Sequence, residues 1–342
     1  MSSSLPSSRS VPSWWSSAPW RSWHRPLVLF SAAMVVMAVV SAVGLVADDR
    51  MLVGAPIWFK PFKFSASFVA YCLSLAWMLS LLPRGRRVGW WAGTVVALAG
   101  LVEMVIIAGQ TMRGKRSHFN HETPFDEALF NAMAVTVVIL WLGTLVVAVL
   151  LLRARIADRA SAWAMRSGIV LALAGAAVGF LMTQPAPGQR RGVSKVVGAH
   201  SVGVPDGGPS MPLTGWSTTG GDLRIPHFVG MHALQLLPLL VMVLTALAPR
   251  FARLADDRVR LRLVLFASGV YAAAFALVLR QALRGQPLIQ PDGVTLGAAG
   301  LILVAVILGT YGCLRVPTPL AGKATAEDVS ASDVSASKEL VS

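Results

Sequence analysis

Eight apolar runs constrain this chain more than anything else in it. They cover residues 27–47, 64–82, 88–110, 128–152, 165–183, 228–248, 261–281 and 294–314. Each reaches or approaches the ~20 residues that carry a helix across ~30 Å of hydrocarbon. A backbone in lipid must bond to itself, so these runs are read as helices. The expected fold class is an all-α polytopic membrane protein with about eight transmembrane helices. The first run is too long for an ordinary signal-peptide core and lacks a small-x-small cleavage site, so it is read as a retained helix.

The charge pattern agrees. The chain is 55% hydrophobic, only 13% charged, and carries a formal net charge of +14. The basic excess does not call for nucleic acid. Arg84, Arg86 and Arg87 crowd one short connection, and Arg250, Arg253, Arg258, Arg260 and Arg262 crowd another. Arginine-rich short loops mark the cytoplasmic side of a membrane protein. The expectation is a bacterial plasma-membrane protein with both termini cytoplasmic and the bilayer as its first partner.

Three segments stand outside the helices. Residues 1–25 are Ser- and Trp-rich, and are expected to form a disordered or interfacial tail. Residues 316–342, with a tandem DVSAS, are expected to form a disordered tail. The transmembrane domain is 26–315. Within it the connection 184–226 is far longer than its neighbours, and its Gly and Pro spacing suits successive tight turns. It is read as an ordered outer cap. Cys72 and Cys313 fall at unequal depths, which argues against a disulfide.

A short motif recurs. Gln110-Thr-Met-Arg-Gly114 and Gln281-Ala-Leu-Arg-Gly285 both read Q-x-x-R-G after an apolar run, four helices apart. Two parallel four-helix repeats would produce this spacing, and so would chance combined with ordinary helix-end chemistry.

The candidate site residues lie toward one side. Five of the six histidines fall in or beside connections on the outer face, with His24 elsewhere. His118, His200, His227 and His232 are the candidate ligands for a metal ion or haem. Five residues separate His227 from His232, so a regular helix turns them apart and they do not chelate one ion together. Glu103 lies within the hydrocarbon span, where a carboxylate is costly and is either functional or a protonated side chain bonded to a neighbour, and seven residues put Gln110 on its face. Asp126 and Asp222 join Glu103 as candidate acid–base groups. Asp222 and Arg224 can pair with each other or hold a histidine ring. Lys60, Lys63, Gln110, Arg113 and Arg224 are the candidates to meet an anionic substrate group. Asp206, in Pro-Asp-Gly-Gly, reads as a turn residue.

The phrases WFKPFKFSAS, EMVIIAGQTMRGKRSHFN and GWSTTGGDLRIPHFVGMHALQ together resemble an uncharacterised family of bacterial multi-spanning integral membrane proteins. That resemblance implies an eight-helix type of membrane protein and brings no activity. The family pattern has H-G-D-L-R where this chain has Gly220-Gly221-Asp222-Leu223-Arg224. Haem A synthases also pair two four-helix halves, but their histidine spacing is missing here.

The leading expectation from the residues is a metal- or haem-linked enzyme acting at the outer face on a lipid-soluble substrate. The rivals are a proton-coupled transporter or channel, and a membrane structural or assembly factor.

Overall fold

The computed structural model describes residues 22–315. The sequence readings of residues 1–21 and 316–342 lie outside the described residues. Eight helices are long and apolar enough to cross a membrane: α1 Arg25–Ala47, α2 Phe59–Ser80, α3 Arg86–Met112, α4 Pro124–Arg153, α5 Arg159–Met182, α6 Arg224–Leu247, α7 Asp257–Leu283 and α8 Gly293–Arg315. The protein is an all-α multi-pass membrane protein. Two short antiparallel pairings accompany the helices, β1 Met51–Leu52 with β2 Ala55–Pro56, and β3 Ser201–Val202 with β4 Gly221–Asp222.

The sequence reading starts several helices too late, and capping explains the difference. Thr123 caps α4, accepting from the Asp126 N–H, with Pro124 in the first turn. Asp158 caps α5 and Asp256 caps α7 in the same way. Each cap satisfies backbone donors that the helix itself leaves bare, so a polar first turn extends the helix beyond its apolar run.

Packing runs along two blocks. α1 pairs with α2 and α3 with α4, while α5 pairs with α6 and α6 with α7. One core gathers Leu27, Leu75, Val96, Ile107, Leu151 and Ile169, all fully buried. α5 and α6 meet backbone to backbone. A Cβ on Gly175 would lie 2.6 Å from the Cα of Gly230, so the crossing admits nothing larger than glycine. Gly293 and Gly297 have open space around them, so that pair packs against nothing in the described chain.

The Q-x-x-R-G copies fold alike. Gly114 (φ 69°) and Gly285 (φ 71°) take the left-handed conformation. The N–H of Lys115 bonds the Gln110 carbonyl and that of Gln286 bonds the Gln281 carbonyl, closing a Schellman cap on α3 and α7 alike. Each Gln amide then donates to the carbonyl six residues on, Gln110 to Arg116 and Gln281 to Pro287.

Candidate functional site

Antiparallel spans put the α1–α2, α3–α4, α5–α6 and α7–α8 connections at one end of the bundle, here the cap face. They are tied together there. Arg50 donates to the Met112 carbonyl at 3.2 Å. Asn120 bridges Val196, and the Phe119 carbonyl accepts from Val197 N–H at 3.1 Å. The long α5–α6 connection is hydrogen-bonded to its neighbours, with Ala199 N–H on Met182 and Leu223 N–H on His200. Between the β1–β2 hairpin, the start of α2, residues 115–119 and residues 200–217 lies a cavity of about 200 Å³. That is room for several waters or for a polar headgroup.

Its charge is one-sided. Lys60, Lys63, Lys115, Arg116 and Arg224 line it, against a single carboxylate, Asp206. Three of these cations are tethered. Lys115 pairs with Glu122 at 2.7 Å. Arg224 pairs with Asp222 at 2.5 Å and donates to the Gly215 carbonyl at 2.6 Å. Lys63 donates to the Thr214 carbonyl at 3.0 Å and sits 4.3 Å from the Phe59 ring centre. Lys60 and Arg116 differ: neither side chain makes a hydrogen bond or ion pair among the described residues, and the Lys60 ammonium lies 5.8 Å from the Phe64 ring.

His200 and Asp206 supply acid–base chemistry. Asp206 closes a tight turn, accepting the N–H groups of Ser201 at 2.8 Å and His200 at 3.0 Å. Its Oδ2 also receives His200 Nδ1 at 2.9 Å. Burial opposes ionisation of Asp206, but these bonds prevail and hold its carboxyl below the usual carboxylate range. Burial, helped by the nearby positive charge of Arg224, lowers the His200 pKa although Asp206 opposes the shift. The pair is therefore a neutral imidazole donating Nδ1–H to a carboxylate, which leaves Nε2 as the basic nitrogen.

His118 also lines the cavity, with Nδ1 3.1 Å from Ser117 Oγ and its ring among Phe64, Phe119 and Phe130. Burial and the nearby Lys60 charge push its pKa well below 6.5. Phe119 separates the two histidine rings, 6.0 Å from His118 and 5.0 Å from His200. It does so from a left-handed backbone, φ 62°, a conformation that costs a bulky residue roughly 1–3 kcal/mol.

The remaining candidates lie apart from the cavity lining. Gln110, Arg113 and Asp126 form one cluster joining α3 to α4, with Gln110 and Arg113 donating to Asp126 Oδ1 at 2.9 and 2.8 Å. Glu103 is 2% exposed and accepts from Thr136 at 2.5 Å, while its Oε2 is buried without a hydrogen-bond partner. His227 Nδ1 bonds the Gly175 carbonyl at 2.8 Å, and His232 Nδ1 bonds the Phe228 carbonyl at 2.8 Å while stacking on the Phe228 ring. Asp222 is fully buried, engaged by Arg224 and by the Ser217 N–H.

One sequence reading is sharpened and one changes. Asp222 takes the first of its two alternatives and pairs with Arg224, while the His200 ring is held by Asp206, the turn residue, because the turn at 200–206 folds six residues back onto His200. The expected ligand set His118, His200, His227 and His232 is not gathered. Among the described residues no group of three or more His, Cys, Asp or Glu side chains is arranged to hold a metal ion. The His227 and His232 Nδ1 atoms bond helix carbonyls, and only His118 and His200 share the cavity. Phe119, Lys115 and Arg116 were missed altogether. Their signal was the run RGKRSHF, whose loop position hid that its side chains turn inward.

No family model, curated protein or solved structure matches this chain.

Proposed function

We propose that the cap-face cavity binds the phosphate end of a lipid-linked substrate, and that His200, oriented by Asp206, is the acid–base group for its hydrolysis or transfer. One observation carries this reading: five cations and one His–Asp pair line a cavity of headgroup size. Lys60, Lys63 and Arg224 would receive the phosphate oxygens, Lys60 with no intramolecular tether to give up. Water would give a proton to His200 Nε2 as it attacks, and that proton would pass to the departing oxygen as its bond breaks. Asp206 would steady the imidazolium between the two transfers. With the arginine-rich connections taken as cytoplasmic, this cavity faces the outside of a bacterial plasma membrane.

The test uses the purified full chain in nanodiscs, with octyl phosphate as the probe and octyl glucoside as the uncharged control. Octyl phosphate binds, and Lys60→Gln weakens it about tenfold or more, the scale of one lost charge-assisted hydrogen bond. His200→Gln leaves binding near wild type and stops phosphate release. Equal affinity for both probes, or indifference to Lys60→Gln, overturns the reading.

A proton-coupled transporter has one observation in its favour, the buried Glu103 with an unpartnered oxygen. Solute uptake in proteoliposomes that needs a proton gradient and disappears in Glu103→Gln would establish it over the enzyme.

A further inference from the structure

A second concavity lies toward the opposite end of the molecule, remote from the cap-face cavity. α6, α7 and α8 enclose a groove of about 730 Å³, within the range typical of small-molecule sites. Its walls are apolar, including Leu244, Leu263, Phe266, Val306 and Leu314. α8 closes one side loosely. Only 6% of its span is buried, against 22% for α7 and 28% or more for the other six helices.

One end of the groove is basic. Arg253, on the 3-10 turn Ala252–Ala255 between α6 and α7, lines it, is exposed, and donates to the Leu314 carbonyl. Arg250 and Arg262 are exposed in the same region, and Arg315 follows Leu314 with its guanidinium 4.3 Å from the Tyr311 ring. None of these four arginines forms an ion pair with a described residue. The nearby carboxylates are engaged: Asp256 caps α7, and Asp257 pairs with Arg260.

Apolar walls ending in unpaired arginines match one ligand shape, acyl chains joined to a phosphate. We propose that this groove seats an anionic phospholipid of the adjoining leaflet, with acyl chain between α6, α7 and α8 and phosphate on Arg253 and its neighbours. Charge complementarity favours the lipid over a second copy of the chain. A two-fold interface here would turn one arginine cluster against the other. The glycines of α8 that would let another helix approach, Gly293, Gly297 and Gly300, do not line the groove.

The experiment compares phosphatidylglycerol with phosphatidylcholine of identical acyl chains. Lipid retained by the purified full chain is counted by native mass spectrometry, and thermal stability is read in nanodiscs of each lipid. Wild type retains phosphatidylglycerol about tenfold over phosphatidylcholine and unfolds at a higher temperature in it. Arg253→Gln removes most of that preference. Ala267→Trp, which fills the groove wall, lowers retention of both lipids. Should Arg253→Gln fail to fold, by circular dichroism, Arg250→Gln with Arg262→Gln replaces it. Soluble glycerol phosphate gives no stabilisation. Equal retention of the two lipids by wild type, a preference that survives the charge and groove variants, or a dimer in phosphatidylcholine that Ala267→Trp dissolves, each overturns the proposal.

Discussion

The Nδ1 of His200 lies 2.9 Å from Oδ2 of Asp206, and the same carboxylate accepts the backbone N–H groups of His200 and Ser201. One side chain thus fixes both a turn and a tautomer. Asp206→Asn keeps the size and loses the charge. It is expected to destabilise the protein by about 1–3 kcal/mol, the scale of losing charge-assisted bonds at a half-buried group. Thermal unfolding in detergent reads the loss, and faster proteolysis within 200–217 reads its location. An unchanged melting temperature would mean that the pair does not order the cap.

Asp126 answers the same question for α3 and α4. Its side chain is fully buried, while its partner Arg113 is 41% exposed. Removing the buried partner takes one acceptor from each of Gln110, Arg113 and Thr123, whereas removing the exposed one leaves a carboxylate still bonded by Gln110 and Thr123. Asp126→Ala is therefore expected to cost about 2 kcal/mol or more and Arg113→Ala under about 1. Denaturant titration distinguishes them. Octyl phosphate binding should survive both at near wild-type strength, since neither residue lines the cavity.

The His118 pKa lies well below its ordinary 6.5 because burial disfavours the cation. On acidification below 6.5 the unfolded chain takes up this proton before the folded one does, so stability falls with pH. The slope is about 1.4 kcal/mol per pH unit for one such group. His118→Phe, whose ring suits neighbours Phe64, Phe119 and Phe130, should flatten the decline between pH 6.5 and 5. His200, also shifted downward, leaves a residual slope. A variant as acid-sensitive as wild type refutes the assignment.

Glycine substitutions separate packing from mere composition. Gly175→Ala drives a methyl into the Gly230 backbone and is expected to destabilise by about 1–3 kcal/mol. Gly297→Ala meets open space and should be neutral or slightly stabilising. Unfolding in sodium dodecyl sulfate mixtures ranks the two.

Much of the molecule was legible before folding was considered. The eight spans follow from hydropathy because lipid leaves a backbone few alternatives to the helix. The Q-x-x-R-G ends carried their own caps, since a Schellman turn needs only local residues and a glycine able to take positive φ. His118 and His200 could be placed on one face by counting spans. Their sharing a cavity, and the opposite fate of His227 and His232, could not be counted. A helix carbonyl captured each of those two Nδ1 atoms, and sequence spacing says nothing about a neighbour's carbonyl.

What the chain alone determined was therefore its class: an all-helical membrane protein with histidines toward one end and arginine-rich short connections at the other. These are properties of composition and period, which depend on each residue's own transfer energy and on local backbone geometry. Which charges are free was decided by tertiary structure. Arg224 and Lys115 look like Lys60 in sequence, but Asp222 and Glu122 engage them, while Lys60 has no such partner among the described residues. That difference arises from loops folding back on one another, and side-chain pairing energies act only across distances that the finished fold sets.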